Sequence, residues 1–303
     1  MHNTTNAIIA KASEVILGKE QQIKLALACI LARGHLLIED LPGMGKTTLA
    51  HTLAQVLGLQ FQRVQFTSDL LPADVLGVSV YDRNAAAFKF HPGPVFTNVL
   101  LADEINRATP KTQSALLEVM EEAQVTIDAV THHLPQPFFV IATQNPSSQI
   151  GTFALPESQL DRFLMRITLD YPDAASERRL LQSNGGRDQL AHMAAVIDSS
   201  QLQTLQTECQ SVYVSDALLD YLQAILKHSR QSTQFNTGLS PRAGLSLKQC
   251  AQAWAMIAGR DHVIPEDIQA ILPSVVSHRL VSNSSMDNHA DIIASLLKAV
   301  AIP

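Results

Sequence analysis

The sequence predicts an α/β protein in which a parallel sheet is flanked by helices and followed by a helical domain. Short apolar runs that suit buried parallel strands recur through the first half of the chain, and helix-like segments separate them. The strand candidates are His35 to Glu39, Phe61 to Phe66, Val99 to Ala102, Phe138 to Ala142 and Met165 to Leu169. Beyond Leu169 the spacing of apolar residues is helical only. This order of elements is typical of a covered open sheet with a separate helical domain.

The first strand candidate is followed by a glycine-rich turn, Asp40 to Thr47, and then by a helical pattern. Strand, turn and helix in this order are the context of a phosphate-binding loop, where glycines let backbone N–H groups face phosphate oxygens. We expect Lys46 to reach the outer phosphates and Thr47 to bind magnesium. The predicted nucleotide-binding residues of this loop are Pro42, Gly43, Met44, Gly45, Lys46, Thr47 and Thr48. One position departs from the general pattern, because Asp40 stands where the first glycine is expected.

The segment before this strand, residues 1 to 33, has apolar residues at helical spacing and a break at Gly18. In nucleotide-binding folds of this type the segment before the first strand often touches the base. Gly18 is therefore a candidate contact for adenine. Plain packing of two helices explains the same break equally well.

A later strand candidate, Val99 to Ala102, delivers two adjacent carboxylates, Asp103 and Glu104, at its C-terminal end. Ligands of open α/β sheets bind at that edge. A carboxylate pair there, after a phosphate-binding loop, is a Walker B pattern. We expect Asp103 to hold magnesium through water and Glu104 to orient and deprotonate an attacking water.

Two segments interrupt the alternation of strands and helices. Residues 76–96 contain two short β-prone runs bounded by glycine and proline, which predicts a hairpin inserted into a helix. Residues 125–134 predict a second hairpin just before the Phe138 strand. Such insertions can grip a substrate or can be decoration, and the sequence favours neither interpretation.

The helical part follows a break at Tyr171 to Asp173, which predicts one domain of residues 1–172 and a second of residues 173–303. The predicted helices are Ala174 to Leu181, Ser215 to Arg230, Pro241 to Gly259, Pro265 to Leu280 and Asp287 to Ala299. Pro241 lies in a first helical turn with Arg242 directly after it, so this helix N-terminus could face a nearby phosphate.

Composition narrows the classes of function. Hydrophobic residues make up 46% of the 303 residues, and the formal net charge is −6 without a cluster of Lys or Arg, which argues against nucleic acid as a partner. No apolar run approaches the roughly 18 residues that span a bilayer, and the N-terminus carries no basic signal region. We therefore expect a cytoplasmic protein without a membrane segment. The three cysteines are scattered and lack metal-ligand spacing.

Together these motifs resemble those of the AAA+ ATPases and, within them, the MoxR family. The resemblance covers nearly the whole chain and is carried by the segments at Glu39 to Ala50, Phe66 to Val78, Phe90 to Ala108, Lys111 to Glu122, Phe138 to Pro146, Leu155 to Ile167, Leu239 to Ala243 and Gly259 to Ile268. It implies a P-loop AAA+ core followed by an all-α lid domain, with ATP and Mg²⁺ as cofactors. It also identifies residues 76–96 as a helix-2 insert and residues 125–134 as a pre-sensor hairpin.

The resemblance assigns three further catalytic residues. Asn145 is similar to sensor 1, whose amide lies between the Walker B carboxylates and the outer phosphate. Arg162 resembles the arginine finger that completes a neighbouring subunit's site, and Arg242 resembles sensor 2, acting either in its own subunit or in the next. An ordinary surface ion pair is the alternative for both arginines. Arg107 and Arg166 are weaker candidates for the same interface, and the family's acidic residue near Ile150 is missing.

The family implies a homo-oligomeric ring, expected to be a hexamer, that couples ATP hydrolysis to the remodelling or assembly of a client protein. Members are often linked with partners that carry von Willebrand factor A domains. One alternative is the motor subunit of a metal chelatase, whose inserts and motifs are similar. A DNA-acting motor, disfavoured by the net charge, and a nucleotide-gated scaffold are the others.

Overall fold

The computed structural model describes residues 2–84, 86–145, 151–182, 190, 192–283 and 289–302. It confirms the predicted fold class, a parallel sheet flanked by helices with a helical C-terminal region. The segment Ser147 to Ile150, with its missing acidic residue, lies outside the described residues. The predicted helix start at Asp287 lies outside them as well.

The strands of the described chain are β1 (Leu36–Glu39), β2 (Phe61–Gln65), β3 (Gly77–Asp82), β4 (Ala87–Pro92), β5 (Val99–Asp103), β6 (Gln124–Ile127), β7 (Val130–His133), β8 (Phe139–Gln144), β9 (Met165–Ile167), β10 (Phe235–Thr237) and β11 (Val281–Ser282). Five of them form one parallel sheet in the order β2-β5-β8-β1-β9. Parallel strands end at a common edge, so the loops that follow β1, β5 and β8 lie side by side.

The helices are α1 (His2–Ser13), α2 (Glu20–Leu31), α3 (Lys46–Val56), α4 (Pro72–Leu76), α5 (Pro110–Glu122), α6 (Glu157–Leu160), α7 (Ala174–Gln182), α8 (Ser199–Gln210), α9 (Asp216–Gln231), α10 (Pro241–Ile257), α11 (Pro265–Val276) and α12 (His289–Ala299). Within the described ranges, none of them combines the length and hydropathy that a bilayer crossing requires. α8 has no counterpart among the predicted helices.

Helices cover both faces of the sheet, which explains the unbroken apolar strands. In β1, Leu36 and Ile38 belong to the larger hydrophobic cluster and Leu37 to the smaller one, because successive strand residues face opposite sides. Val99 and Leu100 of β5 divide between the two clusters in the same way. A strand buried on both sides needs apolar residues at every position. The continuous apolar runs in the sequence are this pattern.

The lid helices share the larger cluster with the α/β core. Leu27 of α2 and Leu247 of α10 are both fully buried members of it. The proposed domain boundary at residues 172 and 173 stays a prediction. The lid also contains a short antiparallel ribbon of β10 and β11. Side-chain caps begin several of its helices, among them Asp198 before α8 and Ser240 before α10.

The two inserts are antiparallel hairpins, β3 with β4 and β6 with β7. The expectation that the first interrupts a helix is wrong in one respect: it follows α4 but leads directly into β5. Pro92, Gly93 and Pro94 end β4, and prolines disfavour a helix there. The hairpins touch each other, since the rings of Phe90 and His132 stack with centroids 4.0 Å apart.

Candidate active site

The loop between β1 and α3 forms an open cradle at the edge of the sheet. Gly43 and Gly45 have φ angles of +86° and +90°, and nothing lies within 4 Å of the position of a Cβ on either residue. The loop opens on a cavity of about 350 Å³. This cavity is lined by Pro42, Gly43, Gly45, Lys46, Thr47, Thr48, Arg63, Gln65, Asp103, Glu104 and Asn145. Most of the sequence-predicted site residues thus converge on one cavity.

Asp40, the departure from the loop pattern, has a structural explanation. Its Oδ2 accepts hydrogen bonds from the backbone N–H groups of Leu169 at 2.7 Å and Asp170 at 2.8 Å. Its Oδ1 accepts from the N–H of Leu41 at 2.7 Å. The carboxylate therefore ties the start of the loop to the segment that follows β9, a role that glycine could not fill.

Lys46 is buried at the first position of α3, and its Nζ is the centre of a polar network. The ammonium donates to the carbonyl of Asp40 at 2.5 Å and to Oδ1 of Asn145 at 3.0 Å. Burial lowers the pKa of Lys46, while the carboxylates of Asp40, Asp103, Glu104 and Glu39 act in the opposite direction. A cation held among acceptors beside an open loop suits a phosphate ligand.

Asp103 and Glu104 both line the cavity although they are adjacent in sequence. Successive residues of a strand face opposite sides, but Glu104 leaves β5 with φ +55° and ψ +48° in the left-handed region. Thr143 of β8 fixes this turn. Its hydroxyl donates to Oδ1 of Asp103 at 2.6 Å and accepts from the N–H of Glu104 at 2.9 Å. A strained non-glycine residue held in this way is a recurrent feature of functional sites.

The side chain of Glu104 is surrounded by donors. Asn145 Nδ2 donates to Oε1 at 3.0 Å, and Gln65 Nε2 donates to Oε2 at 2.9 Å. Arg107 Nε also lies 2.9 Å from Oε2. Because Asn145 accepts from Lys46 through its other amide atom, it links the lysine of the loop to the glutamate after β5. An amide that both donates and accepts is suited to that position.

Arg63 is a cavity residue that the sequence did not indicate. It lies on β2 beside β5, and its Nη2 and Nε donate to Oδ2 of Asp103 at 2.6 and 3.1 Å. The guanidinium therefore engages the carboxylate that is predicted to hold magnesium. Any direct metal contact through this oxygen requires Arg63 to withdraw, whereas a contact through water leaves the pair in place.

Two predicted ligand residues lie apart from this cavity. Met44 packs partly buried against the larger hydrophobic cluster. Gly18 has φ +71°, and a Cβ there would come within 2.5 Å of Ser176 Oγ and 2.9 Å of Asp173 Oδ2. Close packing on the start of α7 is thus sufficient to explain Gly18. Its contact with adenine stays a prediction.

Arg162 and Arg242 are brought together, but not at the β1–α3 loop. Both lie against Glu121 at the end of α5: Arg162 Nε is 3.3 Å from Oε2, and Arg242 Nη2 is 2.7 Å from Oε1. They line a second cavity of about 230 Å³, together with Asp161 and Arg279. Neither arginine lines the cavity beside the β1–α3 loop of its own chain.

Arg279, after α11, holds the backbone that carries Arg162. Its guanidinium donates to Asp161 Oδ1 at 2.7 Å and to the carbonyls of Phe163 at 2.8 Å and Leu164 at 3.2 Å. The side chain is only 4% exposed. Burial lowers the pKa of Arg279, and the hydrogen bond and charge of Asp161 raise it. The lid therefore fixes the segment on both sides of Arg162.

We expect Arg279→Ala to lower the free energy of unfolding by about 3–5 kcal/mol, because it leaves a partly buried carboxylate and several carbonyls without their donor. Urea titrations of the wild type and the variant measure the two free energies of unfolding. Arg178→Ala is the matched control, since Arg178 lies exposed on α7 and its loss should cost less than about 0.5 kcal/mol. Equal stabilities of the two variants would contradict an anchoring role.

A parallel sheet of this strand order, with a phosphate loop after β1, a carboxylate pair after β5 and a helical lid, defines the class of AAA+ ATPases. The comparisons with known proteins agree. The family described as "ATPase family associated with various cellular activities (AAA)" matches residues 35–165, and the AAA lid domain matches residues 227–296.

Relatives narrow this class. The chain is 38% identical to Chaperone MoxR1 of Mycobacterium tuberculosis, over 99% of this chain and 83% of that protein. It is 41% identical to the uncharacterized protein YeaC of Bacillus subtilis, over 100% and 96% of the two chains. The crystal structure of a candidate ATPase from Cytophaga hutchinsonii superimposes with a TM-score of 0.92 at 36% identity, covering 100% and 96%. The chain belongs to the MoxR family of AAA+ ATPases.

Proposed function

We propose that this protein hydrolyses ATP as a subunit of a ring in which each nucleotide site is completed by the neighbouring subunit. The observation that carries the proposal is the separation of the site residues. The phosphate loop, the carboxylate pair and Asn145 share one cavity, while Arg162 and Arg242 lie together around Glu121, outside that cavity. If both arginines act on ATP, they act on the ATP of another subunit, and Arg242 acts in trans.

The residues present fit ATP and Mg²⁺. Open glycines at Gly43 and Gly45 and a buried cation at Lys46 suit the phosphates. Thr47 and Asp103 supply one hydroxyl and one carboxylate, and Mg²⁺ is usually held by such a small protein set plus substrate phosphates. When bound, Mg²⁺ neutralises charge on the phosphate oxygens. Gly18 stays a candidate for the base.

The chain's own groups would act as follows. Glu104 orients a water and accepts its proton as the water oxygen bonds to the γ-phosphorus and the bond to the β-phosphate oxygen breaks. Asn145 keeps the carboxylate of Glu104 in position relative to the outer phosphate. Arg162 and Arg242 of the neighbour offset the negative charge that accumulates on the transferred group and on ADP. Products are ADP and inorganic phosphate.

The finer parts of the proposal rest on family resemblance. We infer a hexameric ring in the cytoplasm that remodels or helps to assemble a client protein, of which a von Willebrand factor A domain protein is the first candidate. The β3–β4 hairpin supports a client contact, because Val80, Tyr81 and Phe88 are 49%, 51% and 72% exposed.

Lys46→Ala tests the nucleotide site itself. We expect the variant to lose measurable binding of a fluorescent ATP analogue, because the charge-assisted hydrogen bond to phosphate is lost while the carboxylates around Lys46 remain and repel the phosphates. Fluorescence anisotropy measures this directly. Lys111→Ala is the control, since Lys111 is exposed on α5 and should leave affinity unchanged. Retained affinity in Lys46→Ala would mean that this loop does not bind phosphate.

A further inference from the structure

One carboxylate, Glu121, holds two arginines that come from different parts of the chain. Arg162 follows α6 in the α/β core, whereas Arg242 lies in the first turn of α10 in the lid. Each guanidinium uses its own oxygen of Glu121, at 3.3 and 2.7 Å respectively. The carboxylate thus bridges core and lid at the point where both carry a predicted catalytic charge.

The backbone next to Glu121 is held by hydrogen bonds of His35. His35 donates through Nε2 to the carbonyl of Met120 at 3.0 Å, and its Nδ1 accepts from the N–H of Val140 at 3.0 Å. Burial lowers the pKa of His35 to about 4, so this imidazole is neutral at physiological pH. α5 then ends at Glu122, and the next residue, Ala123, caps it with φ +51°. Glu121 therefore projects from an anchored helix end, while Arg279 anchors the Arg162 segment.

The charges at this point suit a positioning role. Two adjacent guanidiniums repel each other, and a carboxylate between them relieves the repulsion while the pair keeps a net positive charge. A guanidinium has five N–H donors, so one contact with Glu121 leaves donors for a phosphate. The side chains of Arg162 and Arg242 are 30% and 50% exposed, so both can reach a neighbouring molecule.

We propose that Glu121 is a positioning residue that holds Arg162 and Arg242 side by side, so that a core arginine and a lid arginine enter the neighbour's nucleotide site as one unit. This rests on the proposed shared site. A misplacement of about 1 Å can cost about 100-fold in rate. Loss of Glu121 should therefore lower turnover without changing how the chain binds its own ATP.

The test uses mixtures of two variants that separate the two sides of a shared site. The donor chain carries Lys46→Ala, which disables its own site but keeps its arginines. The acceptor chain carries Arg162→Ala, which keeps its site but offers no finger. Phosphate release by the mixture as a function of ATP concentration gives kcat and KM for the restored sites. Glu121→Ala is then added to one chain at a time.

We expect Glu121→Ala in the donor to lower the restored kcat by about 10- to 100-fold with little change in KM. In the acceptor the same substitution should change kcat by less than about twofold, because that chain contributes no finger. A general folding defect would not follow this asymmetry. Glu122→Ala in the donor is the matched control, since Glu122 is the exposed next residue of α5.

Three results would overturn the proposal: a donor kcat that Glu121→Ala leaves unchanged, a donor kcat that it raises, or an equal loss from either chain. Failure of the shared site is recognised separately, because the parental mixture with Glu121 intact would then restore no activity at all. That result would overturn the proposed function together with this inference.

Discussion

Glu104→Gln is expected to lower kcat for ATP hydrolysis by about 10²- to 10⁴-fold, the usual contribution of a positioned general base. The amide has the size of the carboxylate but cannot accept the proton of the attacking water. It can still accept one of the hydrogen bonds that Asn145 and Gln65 donate to Glu104. ATP affinity should therefore change little, and the variant should hold ATP and any client.

Phosphate release and binding of a fluorescent ATP analogue measure the two properties separately. Glu118→Gln is the control, since Glu118 is exposed on α5 and should behave as the wild type in both assays. Turnover near that of the wild type would show that another group activates the water. Loss of ATP binding would point instead to a structural role for Glu104 in the network with Arg107.

Arg162→Ala should lower kcat by about 10³- to 10⁵-fold, the range of an arginine finger, while ATP affinity stays the same. The substitution removes only a side chain that is 30% exposed, and Arg279 still holds the surrounding backbone. A loss of activity would therefore not reflect a change in the backbone conformation around Arg162. Arg162→Lys should recover only part of the activity, because lysine lacks the planar fork that binds two phosphate oxygens. A kcat within about tenfold of the wild type for Arg162→Ala would contradict a finger.

The sequence predicted the elements that carry the phosphate loop because buried parallel strands are continuously apolar. The predicted strand His35 to Glu39 is observed as Leu36–Glu39, and Val99 to Ala102 as Val99–Asp103. Family resemblance then supplied Asn145, Arg162 and Arg242. What the pattern could not provide was the spatial order of the strands. That order is set by packing, and it brings Lys46 and Asn145 into contact across 99 positions of sequence.

Contacts across strands explain the residues that were missed. Arg63 and Gln65 lie on the strand beside β5, and their roles depend on that adjacency. Glu121 has no signal of its own in the sequence. Its partners come from two distant segments. By contrast, α8 had a local signal in the capping box of Asp198 and Gln201, followed by Leu202 and Leu205 at helical spacing.

The most direct test of the shared site is the mixture of Lys46→Ala and Arg162→Ala chains, each inactive alone. Random mixing in equal amounts should place an intact site against an intact finger at about one interface in four, so phosphate release should rise to about a quarter of the wild-type rate. Such recovery would establish that Arg162 acts across the interface between subunits. A mixture no more active than the two variants apart would contradict the account.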